Sequence, residues 1–124
     1  MKTWDDWSDL EIDAQVTMVV YNLHDWEYSD NMRQFYHCGA CGNETNNQPV
    51  INYCNSWADM GPIIGDRKIS LHWDWEVMNE CSAIGSNYVM RSLGLRQINH
   101  EYTSKNPLRA AAIVFLMMNG VNPE

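Results

Sequence analysis

"NPLRAAAIVFLMMNG", residues 106–120, is the stretch that decides the fold, because it carries the signals of both ends of a helix. Asn106 suits the N-cap, Pro107 suits the first helical position, and Gly120 suits the residue just past the helix end. Between these ends the residues are apolar on almost every side. The pattern predicts a helix over about 107–119 that is buried on more than one side.

A second helix is predicted near the start of the chain. Ser8 and Glu11 form an S-x-x-E capping box, and the acids around them suit the positive end of the helix dipole. The periodic run that follows predicts a helix over about 9–23. Its apolar face is formed by residues at steps of four, three and four, namely Ile12, Val16, Val19 and Leu23.

The clearest strand lies in "KISLHWDWEVM", residues 68–78. Apolar residues take its odd positions and polar residues its even positions, which is the period of a half-buried strand. We expect the odd face, including Trp73 and Trp75, to be buried against the C-terminal helix. This packing would leave the edges and loops free to recognise a partner.

The other segments carry weaker signals. A short strand is predicted near 32–37 and another at 49–54. In "NSWADMGPIIGDRK", residues 55–68, the Gly-Pro and Gly-Asp pairs predict turns. Residues 79–104 are predicted to be irregular, apart from a short apolar segment at 88–95.

These elements predict an α+β fold in one domain over residues 1–124. Two helices at opposite ends, with strands between them, imply a helix–sheet–helix sandwich with a small, mainly antiparallel sheet. A chain of 124 residues is long enough for one core. The longest apolar run, 110–118, is too short to cross a bilayer, and the acidic start is unlike a signal peptide, so we expect a cytosolic protein.

Three stretches of the chain resemble one known family, namely "WSDLEIDAQV" (7–16), "YCNSWADMGPIIGDRKISL" (53–71) and "KNPLRAAAIVFLMMNG" (105–120). They are similar to the NinX-like proteins of lambdoid bacteriophages, which belong to the phage ABA-sandwich domain family. The resemblance implies a helix–sheet–helix sandwich, a phage origin and a place in the cytoplasm of a bacterial host. It implies no activity, and residues 24–48 and 79–104 lie outside it.

The net charge of −8 is concentrated in the first half of the chain. Residues 1–60 hold ten acids against two bases, whereas residues 61–124 hold six of each sign. Nucleic-acid binding depends on Lys and Arg that neutralise phosphates, so we expect no nucleic-acid partner. An acidic face around Asp5, Asp6 and Asp9 could bind a basic protein surface, imitate nucleic acid toward a nuclease, or only keep the protein soluble.

Aromatic residues lie among these acids and beside the predicted turn. Trp57 and Asp59 could stack on and hydrogen-bond a base or a peptide, or could close the end of the core and cap a turn. If the ligand is a nucleotide, Arg67 or Lys68 would meet its phosphate, and the protein would sequester a host signal. An exposed aromatic patch at a protein interface is a further alternative to packing over the sheet for Trp4, Trp7 and Trp26.

"YHCGACGNETNNQP", residues 36–49, contains Cys38 and Cys41 in the C-x-x-C-G spacing of a zinc knuckle. A structural zinc site needs four ligands, and the sequence holds no second C-x-x-C pair. The other ligands would come singly from a set of five residues, namely Cys54, Cys81, His37, His72 and His100. The alternative is a polar loop with two free thiols. Zinc is therefore a candidate cofactor, and a zinc-stabilised interaction module is a third class of function.

The sequence carries no nucleophile elbow, phosphate loop, dinucleotide fingerprint or HExxH motif. We therefore predict a phage accessory protein that binds a host or phage protein through its acidic N-terminal half and the segment around Trp57, without catalysis. Neither nucleic acid nor a membrane is expected as a partner, and a homo-oligomer is left open.

Overall fold

The described part of the chain folds into helices that are separated by groups of consecutive strands. The structure is a computed structural model, and it describes residues 2–38, 45–74, 79–92 and 94–124. The helices are α1 (Asp9–Tyr21), α2 (Trp57–Arg67) and α3 (Pro107–Met118). The strands are β1 (Glu27–Ser29), β2 (Gln34–Cys38), β3 (Thr45–Pro49), β4 (Ser70–Trp73), β5 (Cys81–Arg91) and β6 (Gly94–Ser104), and 3-10 turns span Trp4–Asp6 and Tyr53–Asn55.

The strands form two antiparallel sheets. The first sheet has the order β1-β2-β3, and the second has the order β4-β5-β6. The strand predicted near 32–37 is confirmed as β2. Two antiparallel sheets and three helices confirm the α+β class.

The first helix begins where the sequence predicts. The Ser8 hydroxyl accepts a hydrogen bond from the Glu11 amide at 3.1 Å, and the Glu11 carboxylate accepts one from the Ser8 amide at 3.2 Å. These two bonds complete the capping box. The helix ends at Tyr21, because Asn22 takes a left-handed conformation with φ of 55°. The helix predicted over 9–23 is confirmed, with a slightly earlier end.

The C-terminal helix is the centre of the core. The Asn106 side chain accepts a hydrogen bond from the Leu108 amide at 3.0 Å, and Gly120 has the positive φ of 78° expected just past a helix end. Residues 110–116 are all buried, while β5, β6, α1 and α2 contact the helix. Because the helix is buried all round, these neighbours cover different sides of it. The helix predicted over 107–119 is confirmed.

The middle helix, α2, replaces the turns predicted in this segment. The Ser56 hydroxyl caps it by accepting a hydrogen bond from the Asp59 amide at 3.3 Å. Pro62 and two glycines lie inside the helix and disfavour it locally. However, Met60 is fully buried and Ile63 packs against the core. Burial of this apolar face outweighs the local preference, so the prediction of turns is wrong.

Residues 49–54 do not form the predicted strand. After β3 the chain makes the 3-10 turn Tyr53–Asn55, which side chains of both terminal helices hold in place. Asp13 of α1 accepts a hydrogen bond from the Cys54 amide at 2.8 Å, and the Asn106 side chain donates one to the Cys54 carbonyl at 2.6 Å. These bonds occupy the groups that a strand would use for pairing, so this strand prediction is wrong.

The segment predicted to be irregular, 79–104, contains the long hairpin of β5 and β6 instead. The buried face of β5 carries small residues, namely Cys81, Ala83 and Gly85. At Gly85 an added Cβ would lie 2.6 Å from Met118 Sδ and 2.9 Å from Val114 Cγ1, so α3 approaches the sheet closely here. Small inward residues give little apolar alternation, and this is why the sequence prediction is wrong.

The strand predicted at 68–78 exists as β4, but Trp73 does not lie in the core. Ile69, just before the strand, is buried, whereas 53% of Trp73 is exposed. Trp73 pairs with Cys81 at the end of an edge strand, where a neighbouring strand lies on one side only. The prediction that Trp73 is buried is therefore wrong, and Trp75 lies outside the described residues.

Two clusters of buried apolar side chains hold the described helices and sheets together. The main cluster surrounds α3 and receives residues from α1, α2, the Tyr53–Asn55 turn and the second sheet. A smaller cluster of Ala14, Leu23 and Phe35 lies between α1 and the first sheet. Within the described residues, no helix combines the length and the apolar character that crossing a membrane requires.

Candidate functional site

The three N-terminal aspartates predicted to bind a partner are each engaged within the chain. Asp9 accepts a hydrogen bond from the Arg109 guanidinium at 2.7 Å. Asp6 accepts one at 2.8 Å from a backbone amide of its own turn, and Asp5 accepts one from the Tyr102 hydroxyl. Asp9 and Asp5 therefore hold the start of the chain against α3 and β6, whereas Asp6 stabilises its own turn.

Arg109 links the start of the chain to α3. Only 15% of its side chain is exposed. Besides its ion pair with Asp9, the guanidinium donates hydrogen bonds to the carbonyl of Trp4 at 3.1 Å and to that of Trp7. The Trp7 indole in turn donates to the carbonyl of Pro123 at 2.9 Å. Trp4 and Trp7 are thereby fixed in place, and the two ends of the chain lie together.

A buried polar cluster joins α1 to the 3-10 turn. Burial raises the pKa of Asp13, and its hydrogen bond from the Cys54 amide partly opposes that shift. Burial, followed by the nearby Asp13 charge, raises the pKa of the Cys54 thiol far above its ordinary value. Thr17 completes the cluster by accepting a hydrogen bond from the Ile51 amide at 3.1 Å. Because the thiol stays protonated, we assign this cluster a structural role.

The zinc prediction involves four residues in different settings. Cys41 and the side chain of Cys38 lie outside the described residues. The exposed ring of His37 lies 5.6 Å from the Trp26 ring, and Cys54 is fully buried as a thiol. Among the side chains that the structure describes, no group of three or more His, Cys, Asp or Glu is placed to hold a metal ion. The zinc site remains a prediction from the C-x-x-C spacing.

The helix α2 separates two residues that the nucleotide hypothesis combines. Trp57 is its first residue and is 57% exposed, whereas Arg67 is its last residue. A helix rises about 1.5 Å per residue, so these residues lie about 15 Å apart along the axis. Asp59 is exposed and lies two positions after Trp57, a spacing at which the side chains of a helix do not face each other. The structure therefore does not bring Arg67 to Trp57.

An open groove of about 510 Å³ lies between the three helices, and we name it the helical groove. Its lining includes Val19, Val20, Ile63, Asp66, Arg67 and Phe115. The Arg67 guanidinium lies 5.5 Å from the centre of the Phe115 ring and 3.6 Å from the Asp66 carboxylate. Arg67 is thus placed beside an aromatic ring at a concave surface, as a ligand-binding cation would be.

A smaller pocket of about 270 Å³ lies between α1 and the first sheet, and we name it the aromatic pocket. Its lining includes four aromatic rings and two acids, namely Trp7, Trp26, Tyr28, Phe35, Glu11 and Asp30. The hairpin of β1 and β2 pairs Tyr28 directly with Phe35, and their ring centroids lie 5.0 Å apart. The Tyr28 hydroxyl donates a hydrogen bond to Asp30 at 3.2 Å.

The charges at the aromatic pocket are set by neighbouring groups. The Lys2 ammonium lies 2.8 Å from the Glu11 carboxylate and 5.2 Å from the centre of the Trp7 ring. The hydrogen bond from Lys2 lowers the pKa of Glu11, so Glu11 is ionised at neutral pH. Burial, together with the bond to Asp30, raises the pKa of Tyr28, so its phenol stays a donor. The pocket therefore combines aromatic walls with an anionic rim.

The sequence indicated part of this pocket. Of the tryptophans that fall among acids, Trp7 and Trp26 line the pocket, whereas Trp4 is buried. Tyr28 and Phe35 were missed, because the sequence analysis predicted no strand before residue 32 that could pair with the strand near 32–37. The turn-forming pair Asp-Asn at 30–31 is the signal that could have found them, since a hairpin there places the two rings opposite each other.

Comparison with known proteins places the chain in a family. A family model described as "Bacteriophage P22, NinX" matches residues 4–119, a range that includes all three helices and the aromatic pocket. A search of curated proteins and a search of solved structures found no match. Because the family model spans nearly the whole chain, the predicted resemblance is confirmed, and the chain belongs to the bacteriophage P22 NinX family.

Proposed function

We propose that this phage protein acts by binding a host or phage protein, without catalysis, in the cytoplasm of the infected bacterium. The observation that supports this function is the aromatic pocket in the acidic half of the chain. Protein-binding surfaces are enriched in aromatic residues, and a few aromatic residues in a pocket commonly supply most of the binding energy. A pocket with four aromatic rings and an anionic rim has this composition.

We extend the predicted acidic surface to other exposed acids in the first half of the chain. Asp9 pairs with Arg109 and Asp5 with the Tyr102 hydroxyl, so we assign the main recognition to the acids next to Trp26 in the sequence. Asp25 and Glu27 are both exposed and flank Trp26 in the sequence. Their charge favours a partner with a basic surface and raises the rate at which it associates.

A second contact is proposed at the start of α2. Trp57 is 57% exposed. An exposed indole offers both apolar area and an N–H donor. The exposed Asp59 adds a carboxylate on another side of the same helical turn. We expect Trp57→Ala to weaken partner binding less than charge reversal at Asp25 and Glu27 does, because this contact depends on a single exposed ring.

The test reverses the charges of two exposed acids and leaves the hydrogen bonds of Asp5, Asp6 and Asp9 unchanged. The protein is immobilised, and captured proteins from infected host lysate are quantified for wild type and for Asp25→Lys/Glu27→Lys. Binding of the partner should fall about three- to tenfold. The matched control is Asp66→Lys/Glu101→Lys, which changes the net charge equally at other exposed positions and should retain binding. Equal capture by both variants, or no specific capture by wild type, would contradict the proposal.

The helical groove supports a second candidate function, the binding of a small anionic ligand such as a nucleotide. Its volume of about 510 Å³ lies in the range of small-molecule sites, and Arg67 lies beside an aromatic ring there. This candidate function does not use Trp57, which the sequence analysis had proposed to stack on the base. In a thermal-shift screen a bound nucleotide should raise the melting temperature of wild type but not of Arg67→Gln. An equal response of both proteins rejects the candidate.

Association of identical chains also stays a proposal. The exposed residues that could support it lie near the end of the β5–β6 hairpin, namely Tyr88, Met90 and Leu95. Met90 pairs directly with Leu95, so the two side chains share one face of the sheet. A concentration-dependent molar mass in light scattering, abolished by Met90→Ser/Leu95→Ser, would establish such a homo-oligomer.

A further inference from the structure

We propose that the aromatic pocket receives the cationic side chain of a lysine from the partner protein. This inference rests on the proposed function and names the chemistry of its main contact. The walls are aromatic rings whose faces attract cations, and the described residues of the lining include two acids but no lysine or arginine. A cationic side chain would therefore gain both ring and carboxylate contacts on entry.

The chain itself places an ammonium group at this pocket. The Lys2 ammonium lies 5.2 Å from the centre of the Trp7 ring, which is within the range of a cation–π contact. The same group donates a hydrogen bond to Glu11 at 2.8 Å. Both contacts are made at an exposed position, since the side chains of Lys2 and Glu11 are each nearly half exposed. The geometry thus shows that Trp7 and Glu11 can bind an ammonium group together.

The size and depth of the pocket fit one side chain. A volume of about 270 Å³ is too small for a folded element of a partner but can hold a long side chain. Lysine has an apolar stem that packs on apolar surface while its charged end meets a carboxylate. Met18 and Phe35 lie in the lining and supply that apolar surface. Asp30, held by Tyr28, provides a second carboxylate in the lining.

Lys2 then acts as a competitor that a partner must displace from Glu11 and Trp7. Removal of this competitor should strengthen binding of an external lysine. Because the Lys2 contacts are exposed and individually weak, we expect Lys2→Ala to raise the affinity by about two- to fivefold. If the pocket does not bind cations, Lys2→Ala should leave the affinity for an external lysine unchanged.

The test is a titration of ¹⁵N-labelled protein with a five-residue peptide, acetyl-Gly-Gly-Lys-Gly-Gly-amide, followed by NMR. The indole N–H signals of Trp7 and Trp26 should shift and saturate, whereas those of Trp57 and Trp73 should not, because these two exposed rings lie outside the pocket lining. The same peptide with an acetylated lysine side chain should cause no shift at Trp7 or Trp26. Equal shifts with both peptides, or equal shifts of all four indoles, would overturn the inference.

Matched variants separate this inference from the proposed function. Glu11→Gln keeps the helix cap and should weaken lysine-peptide binding about two- to fivefold, as should Asp30→Asn. Asp66→Asn, in the helical groove, should leave it unchanged. If the peptide does not bind while a protein partner is still captured in a manner that depends on Asp25 and Glu27, the lysine inference fails and the proposed function stands. If the peptide binds but no partner is captured, the proposed function fails and the pocket chemistry stands.

Discussion

The apolar cluster around α3 and the one beneath the first sheet differ in how completely they are packed, although α1 contributes to both. The cluster around α3 draws on all three helices and on the second sheet, and residues 110–116 within it are all buried. The smaller cluster has Ala14, Leu23 and Phe35 as its buried members, with Met18, Trp26 and Val50 packed partly buried against it.

This difference in packing separates the residues that stabilise the fold from those that we propose for binding a partner. Apolar area that is removed from water stabilises the fold, so most of the stability must come from the cluster around α3. Aromatic area that is left partly exposed in the aromatic pocket is available to a partner instead. The recognition surface that we propose therefore lies beside the smaller cluster.

The largest expected effect compares one phenylalanine from each cluster. Phe115→Ala removes a ring that is 2% exposed from the larger cluster and should lower the free energy of unfolding by about 3–5 kcal/mol. Phe35→Ala should cost clearly less, because its cluster has, among the described residues, only two other buried members to lose contacts with it. Urea denaturation followed by circular dichroism measures both. Equal losses would mean that the two clusters are not energetically different.

The next largest effect on stability concerns the bonds of Arg109 to the start of the chain. Arg109→Ala removes the ion pair with Asp9 and two hydrogen bonds to backbone carbonyls, and should cost about 2–3 kcal/mol. The control is Lys2→Ala, whose ion pair with Glu11 is exposed at both ends and should cost less than about 1 kcal/mol. If the two substitutions have similar effects on urea midpoints, Arg109 does not anchor the N-terminal segment to the main cluster.

A glycine pair tests how closely α3 approaches the sheet. Gly85→Ala places a methyl group against Met118 and Val114 and should destabilise by about 1–3 kcal/mol. Gly65→Ala, within α2, meets no atom within 4 Å and should stabilise by about 0.5–1 kcal/mol. Melting temperatures should therefore move in opposite directions. If Gly85→Ala leaves the melting temperature unchanged, the main cluster has space for the added methyl group.

The smallest effect concerns pH. The pKa of Asp13 is raised in the folded state from an ordinary value of 3.8, so the folded form binds its proton more tightly than the unfolded form does. Stability from this group is therefore highest below pH 3.8 and falls as the pH rises through the raised pKa. Asp13→Asn keeps an acceptor for the Cys54 amide and should remove this fall.

The measurement is a series of urea unfolding curves between about pH 4 and 7, the interval in which a raised carboxyl pKa exerts its effect. Glu11 provides an internal contrast, because its lowered pKa has the opposite sign and causes stability to be lost as the pH falls. Glu11→Gln should remove that acid-side loss. An unchanged pH profile in Asp13→Asn would show that Asp13 is not the group responsible.

The parts of the fold that the sequence predicted are those determined by local signals. The side chains of Ser8 and Asn106 cap their helices by accepting hydrogen bonds from amides two or three residues further on. Because these signals are local, the sequence predicted α1 and α3 with good boundaries. The segment of α2 was misread because Gly-Pro outweighed the cap at Ser56, although Ser56 and Asp59 form an S-x-x-D pattern. What decides that helix is burial of Met60, which no local signal contains.

The second sheet and the aromatic pocket were hidden for a different reason. The inward residues of β5 are small because α3 lies against them, and hydrophobic periodicity cannot detect a face whose contacts are made by Gly85 and Ala83. The pocket joins Trp7, from the start of the chain, to Tyr28 and Phe35 of the first sheet. Such a meeting of distant segments is a property of the folded chain, and composition could indicate only that aromatics and acids occur together.

The hydrogen bond from Trp7 to the carbonyl of Pro123 has a topological consequence. Lys2 and Glu124 share the wall of one surface depression, so the polypeptide path nearly closes into a ring. A short linker could join these neighbours, and the chain could be reopened at the tip of the β5–β6 hairpin to give a circular permutant. Such a rearranged protein would keep Trp7, Tyr28 and Phe35 in one uninterrupted segment, so the aromatic pocket should persist.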